Sequence, residues 1–582
     1  MTPQPSSPTS GSTGLERRAF MAYMSALGLG GTLFPGALWA RIRQEPEVTR
    51  EMIADAAGVA GLDFSDEAQE EMVDGLNGNL RSFEALRGYG LDNGDAPAIR
   101  FDPVVPGTSP PMEVREFRYT RPGDLHRPEN LEAVAFWPVT HLAELVRTRQ
   151  VGSVELTEMY LDRLRRHGPT LECVITRTEE RALRQARRAD REIAAGRYRG
   201  PLHGIPWGAK DLLAVAGYRT TWGAAPYESQ TIDEDATVVR RLDEAGAVLV
   251  AKLTLGALAQ GDRWYGGRTR NPWNVEEGSS GSSAGSASAT VAGLVGFSIG
   301  SETLGSIVSP STRCGASGLR PTFGRVSRHG AMALSWTMDK LGPICRSAED
   351  CALVLNAIHG ADGRDPTAVD VPFNWRHDVA LSELRVGYYA SAFEDDEDDD
   401  EEDRARREHD RVVLDVLRRR GADLIPFELP VGDVPLGALR IILTAEAAAA
   451  FDELTRDRDR LALLEERSSW PGTFRQARFI PAVEYIRANR IRSRLMRAMH
   501  RAMREIDVFV TPSYGPGVLL ATNLTGHPTA VVPHGFDDDD TPASISFVGR
   551  LWGDAEALAV AKAYQDATDI HERQPPLFAP AT

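Results

Sequence analysis

Apolar positions near the front of the chain repeat with a helical period. Thr49 stands as an N-cap ahead of a short helix ending near Ala60. Ser65 caps a second helix, with acidic residues in its first turn where the helix dipole favours them. Met72, Leu76, Leu80, Phe83 and Leu86 recur every three or four residues along it. They form one apolar stripe that must lie against something, and packing on the main domain is the expected arrangement. The stretch "LDNGDAPAIRFDPVVPGTSPP" then breaks the period and reads as an extended, proline-rich strap.

From Leu131 the pattern changes. "VTHLAELVRTRQVGSVELTEMYLDRLRRHGP" predicts two amphipathic helices with a Gly-Ser break, and "EERALRQARRADREIAAG" a third that ends in glycine. The short continuous apolar runs "AGAVLVAKL" and "EIDVFVTPS" predict buried strands. Strands alternating with helices give an α/β layer fold. No internal repeat interrupts it.

One stretch has no charge at all: Ala19 to Ala40. It is long enough for a membrane span. Its glycines, small residues and Pro35 suit a signal peptide better, and Arg17-Arg18 followed by Ala-Phe resemble a twin-arginine export signal. Leu38 is an imperfect residue at the cleavage site before Ala40. The expectation is a signal over residues 1–40 and an exported protein, periplasmic or extracellular, with no stable membrane span. A cytoplasmic protein is the alternative.

Composition narrows the classes further. An apolar fraction of 42% supports a sizeable core in 582 residues. The net charge is −17, of which the run Glu394 to Asp403 carries −10. That run, and "FDDDDTP" at Asp537, read as solvated loops, because neither has the interleaved glycine and terminal glutamate of a calcium loop. The acidity argues against a nucleic-acid partner. Cys173, Cys314, Cys345 and Cys351 form no C-x-x-C pair; buried, reduced thiols are expected, with no metal site and no cofactor.

Candidate chemistry begins at Lys210, set among Ile205, Pro206, Trp207, Ala209, Leu212 and Leu213. Burial disfavours the ammonium form, and a neutral lysine is a competent general base. Asp211 beside it could restore the charge. Ser282 lies in "SGSSAGS", a loop small enough for close backbone approach. Ser306 follows Gly305, 24 residues later. The interval fits a helix from Ser286 to about Leu294 and a strand from Val295 to Ile299, a path that can return to its start. A Ser-Lys pair can activate a serine without histidine, and backbone N–H groups before Ser306 could hold an oxyanion.

These segments resemble the amidase signature family over about Leu131 to Pro576. The lysine motif is "GPLHGIPWGAKD", the Gly/Ser signature "NPWNVEEGSSGSSAGSASATVAGL", and the nucleophile segment "GSETLGSIVSPSTRCGASGLRPTFGRVS". "MDKLGPICRSAEDCALVL" and "NLTGHPTAVVPHGF" match later stretches. The resemblance implies an α/β fold with a mixed central β-sheet flanked by helices. The helical appendage and strap would occupy residues 41–130 and the catalytic domain 131–582. It also implies a triad: Lys210 as base, Ser282 as bridge with a cis peptide before it, and Ser306 as nucleophile. Backbone N–H groups among Thr303, Leu304, Gly305 and Ser306 would stabilise the oxyanion. The substrate would be a small-molecule linear amide, cleaved through an acyl-enzyme.

Four positions depart from the family pattern. Glu302 stands where aspartate is usual, and Leu304, Ser280 and Ala284 where glycine is. Leu304 is expected to crowd the acyl pocket. His203, His329 and His359 read as structural, and Trp207 and Trp222 as either pocket or core. Two other functions fit the same resemblance. One is the ammonia-delivering component of a tRNA-dependent amidotransferase, favoured by an appendage that resembles that complex's small helical component. The other is a non-catalytic binding protein on this fold. The export signal opposes the first, and the retained triad opposes the second.

Overall fold

The computed structural model describes residues 48–580 apart from 63, 88–90, 96, 395–400 and 538–539. The export signal expected over residues 1–40 lies outside the described residues. Two compact units divide between Leu91 and Asp92.

The first unit contributes helices α1 (Arg50–Ala60) and α2 (Asp66–Arg87). Thr49 caps α1 by accepting the Met52 N–H, and Ser65 accepts the Ala68 N–H at the start of α2. Gly61 ends α1 in the left-handed conformation, with its N–H turned back onto the last carbonyls.

The second unit is built on an eleven-stranded sheet. In chain order its strands begin with β1 (Val174–Arg177), β2 (Pro206–Lys210) and β3 (Val248–Leu253). Helix α3 (Ala284–Val291) precedes β4 (Phe297–Glu302), and α4 (Val308–Cys314) precedes β5 (Ser317–Arg320) and β6 (Lys340–Cys345). Then come β7 (Val386–Tyr389), β8 (Leu424–Phe427), helix α5 (Ala482–Ala502), β9 (Val508–Pro512), β10 (Thr529–Phe536) and β11 (Pro542–Gly549). The spatial order is β1-β3-β2-β4-β6-β5-β10-β11-β9-β7-β8. Two blocks of parallel pairs (β2 with β3 and β4, β7 with β8 and β9) flank a run of antiparallel ones, so the sheet is mixed.

Strands β2 and β3 are buried along their whole length. Covered on both faces, they read as continuous apolar runs rather than alternating ones. The helices expected after Leu131 are present at Val139–Arg147, Ser153–Leu171 and Glu179–Ala194. The four cysteines are free and buried.

Three expectations shift. The strap belongs with the sheet, so the division falls at residue 91 rather than near 130. Its polar groups bond to that unit: Arg118 exchanges backbone hydrogen bonds with Trp375 and His377, and the Asn93 amide pairs with the backbone of Ala333. The helix and strand between the two serines start two residues earlier and later than expected, at Ala284 and Phe297. Gly293, with φ of 66°, ends that turn, and Gly296 is tied to the Pro206 carbonyl before β4 can begin. Finally, the last three residues of the acidic run, 401–403, open the helix Glu401–Arg419 rather than staying in a loop. Carboxylates are favoured at that end of a helix.

Candidate active site

Lys210 is the last residue of β2 and is fully buried. Its Nζ reaches three hydroxyls: Ser282 Oγ at 2.8 Å, Ser301 Oγ at 2.9 Å and Ser283 Oγ at 3.0 Å. No carboxylate touches it among the described residues. Burial pushes its pKa well below the ordinary lysine value, against the weaker pull of Asp339 and Glu302. Three hydroxyl partners satisfy either form: an ammonium donates to all three, and a neutral amine donates to two and accepts from the third. Asp211, which could have restored the charge, makes no contact with Lys210. It is turned to Lys252, 2.7 Å away, and accepts from the Thr221 N–H and hydroxyl.

Ser282 is 1% exposed, and the peptide before it is cis. Gly281 is required by space: a Cβ there would sit 1.9 Å from the Gly261 carbonyl oxygen. Ser280 takes a left-handed φ of 59°, a conformation glycine adopts without cost. Ala284 opens α3, where an ordinary helical backbone accommodates it.

Ser306 lies half-buried between β4 and α4. The two serine loops meet through backbone, the Ser283 N–H donating to the Ser306 carbonyl at 3.2 Å. A direct Ser282 Oγ to Ser306 Oγ hydrogen bond is not among the contacts of the described residues. Gly305, with φ of 84°, turns the chain just before Ser306. The N–H groups of Leu304, Gly305 and Ser306 meet no protein acceptor among the described residues. They are therefore available to an incoming oxygen.

Glu302 holds this loop. It is fully buried, and one oxygen accepts the N–H groups of Ile307 and Val308 at 2.8 and 3.0 Å. The other accepts from Arg320 at 2.9 Å and from the Asn523 amide at 2.8 Å. Burial raises its pKa, but Arg320 and the other donors outweigh that and hold it at about 2. The turn that holds Ser306 is thus closed from Glu302 at its start to Ile307 and Val308 just after the serine.

A cavity of about 870 Å³ opens onto the site through Ser301, Thr303 and Asp339. Thr303 donates to Asp339 at 2.6 Å, and Asp339 also accepts the N–H groups of Leu334 and Ser335. Trp222, Met332, Leu334 and Trp336 supply apolar wall. Trp207 is core, stacked on Phe297 at 6.0 Å. Leu304 does not crowd this cavity. Its side chain packs against the core cluster containing Tyr389, Leu520 and Leu524. His329 lines the cavity, 3.2 Å from Glu234, while His203 is buried, accepting the Arg199 N–H. His359 is half-buried, and desolvation lowers its pKa to about 4.

Sequence reasoning missed Ser301, Ser283 and Asp339 as neighbours of the site. Asp339 sat inside the quoted "MDKLGP" segment. Ser301 had no signal of its own, because only the pairing of β2 with β4 brings it against Lys210.

A model of the amidase family matches residues 155–521. The chain belongs to the amidase family. It is 34% identical over 486 residues to the A component of the glutamyl-tRNA(Gln) amidotransferase of Roseiflexus castenholzii, covering 75% of this chain and 97% of that protein. The same component from Methylococcus capsulatus is 34% identical over 483 residues, with 75% and 98% covered. The native peptide amidase of Stenotrophomonas maltophilia superposes with a TM-score of 0.67 at 31% identity, covering 77% of this chain and all of that one. This amidase is therefore an enzyme of a family that hydrolyses carboxylic amides, on the mixed sheet flanked by helices that the resemblance implied.

Proposed function

We propose that this amidase hydrolyses a linear small-molecule amide through Lys210, Ser282 and Ser306. The observation that carries the reading is a buried lysine ringed by hydroxyls, with Ser282 at 2.8 Å. Neutral Lys210 takes a proton from Ser282, which takes one from Ser306 as substrate draws the two serines together. Catalytic hydrogen bonds are often loose before substrate binds. Ser306 Oγ forms a bond to the carbonyl carbon, and the N–H groups among Thr303, Leu304, Gly305 and Ser306 hold the oxyanion. The C–N bond breaks as the proton returns through Ser282 to the amine. Water then cleaves the acyl-serine ester, releasing the acid.

The relatives' name favours a second reading, in which the same chemistry releases ammonia for transfer to an aminoacyl-tRNA. The uncharged stretch behind Arg17-Arg18 supports export and so the first reading, since tRNA charging is cytosolic. Turnover separates the two. The purified chain should hydrolyse an aryl amide with neither ATP nor a second protein, and a serine-directed phosphonate should label Ser306. Labelling that survives Ser306→Ala would remove the nucleophile assignment, and turnover that needs a partner would favour ammonia delivery.

A further inference from the structure

The outer face of α5 has no role in the site described above. Arg487, Arg490, Arg494, Arg497 and Arg501 are spaced three and four residues apart along it, and all five are exposed. At 3.6 residues per turn they fall on a single stripe roughly 21 Å long. None of these guanidinium groups meets a carboxylate or any other partner among the described residues. In another arginine-rich helix, Glu179–Ala194, three of the five arginines are paired: Arg181 with Asp235, Arg184 with Glu180 and Arg188 with Asp243.

Like charges at these spacings repel one another, so the stripe is electrostatically unfavourable until an anionic surface meets it. The same stripe begins with two exposed aliphatic side chains, Val483 (70% exposed) and Ile486 (58%), and Phe479 (73%) stands just ahead of the helix. The opposite face carries Ala488, Leu495 and Met499 into the core. The helix is therefore firmly seated, with one cationic and apolar edge outward.

We propose that this edge of α5 docks on an anionic lipid surface. Arginines bind phosphate headgroups in a bidentate way, and a row of them is drawn to an acidic leaflet. The aliphatic side chains discriminate between possible polyanions. Phe479 alone could stack on a base; valine and isoleucine offer no such platform, whereas at a bilayer all three enter the boundary between headgroups and acyl chains. Docking would also bring the membrane close to the cavity. From the inner face of α5, Arg492 donates to the Thr337 carbonyl and hydroxyl, next to cavity-lining Trp336.

The test uses the full chain in sedimentation with vesicles of phosphatidylcholine, with and without a minority of phosphatidylglycerol, at about 0.1 M salt. The native chain should sediment with the mixed vesicles and not with pure phosphatidylcholine, and rising salt should release it. R490Q/R494Q/R497Q should weaken binding roughly a hundredfold, with aryl-amide turnover and circular dichroism unchanged. V483S/I486S should weaken binding while leaving its salt dependence intact. Equal binding to both vesicles, no binding by the native chain, or wild-type binding by the triple variant would overturn the proposal. So would short RNA that binds more tightly than mixed vesicles and is indifferent to V483S/I486S. If the triple variant loses its fold, the single substitutions R490Q, R494Q and R497Q are measured instead; loss of vesicle binding in none of them would also overturn it.

Discussion

At the scale of the residue, the protonation of Lys210 decides the chemistry. Among the described residues it contacts hydroxyls and no carboxylate, so desolvation outweighs the pull of Asp339 and Glu302 and holds the pKa well below the ordinary lysine value. The sign follows directly. Below the shifted pKa the amine is protonated and cannot accept a proton. In that range kcat/KM should rise about tenfold per pH unit, then level off well before the ordinary lysine pKa. Measuring kcat/KM against pH on an aryl amide checks this, and a rise that continues up to the ordinary lysine pKa would contradict it. Lys210→Met should lower kcat by about a thousandfold or more, since the members of such a relay act as a unit.

At the scale of the element, Glu302 turns two secondary structures into one device. It ends β4, accepts the first free N–H groups around α4, and anchors both to Arg320 of β5. A longer side chain than aspartate still serves, because Arg320 and Asn523 come to meet it from the sheet and the helix Val518–Thr525. Glu302→Gln leaves Arg320 as a buried charge without its counter-ion, which should cost about 3–5 kcal/mol of stability. The same variant should flatten the acid limb of the stability profile. The carboxylate's folded pKa of about 2 lies below its ordinary 4.5. Its contribution is therefore full above pH 4.5 and lost as pH falls toward 2. Chemical denaturation of both proteins across that window tests the sign.

At the scale of the whole molecule, the two compact units make separable claims. A chain beginning at Asp92 keeps the sheet, the strap and the triad, so it should fold and retain kcat within a factor of about two. A chain beginning at Leu131 also loses Asp92 to Asp95, which line the cavity, and the Asn93 pairing with Ala333. It should show a raised KM and a lower Tm than the longer truncation. Equal KM in the two truncations would show that the strap has no part in the pocket. What the sequence determined by itself was local or carried by motif. The caps at Thr49 and Ser65 and the buried runs of β3 and β9 follow from spacing and side-chain type. The lysine stands out by its apolar flanks and the two serines by their small-residue loops, but their roles as base, bridge and nucleophile come from the resemblance to the amidase signature family. What the tertiary structure decided depends on register between strands distant in sequence. The pairing of β2 with β4 turned Ser301 onto Lys210, the meeting of β4 with β5 gave Glu302 its arginine, and the packing of Leu304 into a second core cluster kept it out of the cavity. A side chain's neighbours across a sheet are fixed by which strands lie side by side, and no local pattern of apolar and polar residues contains that order.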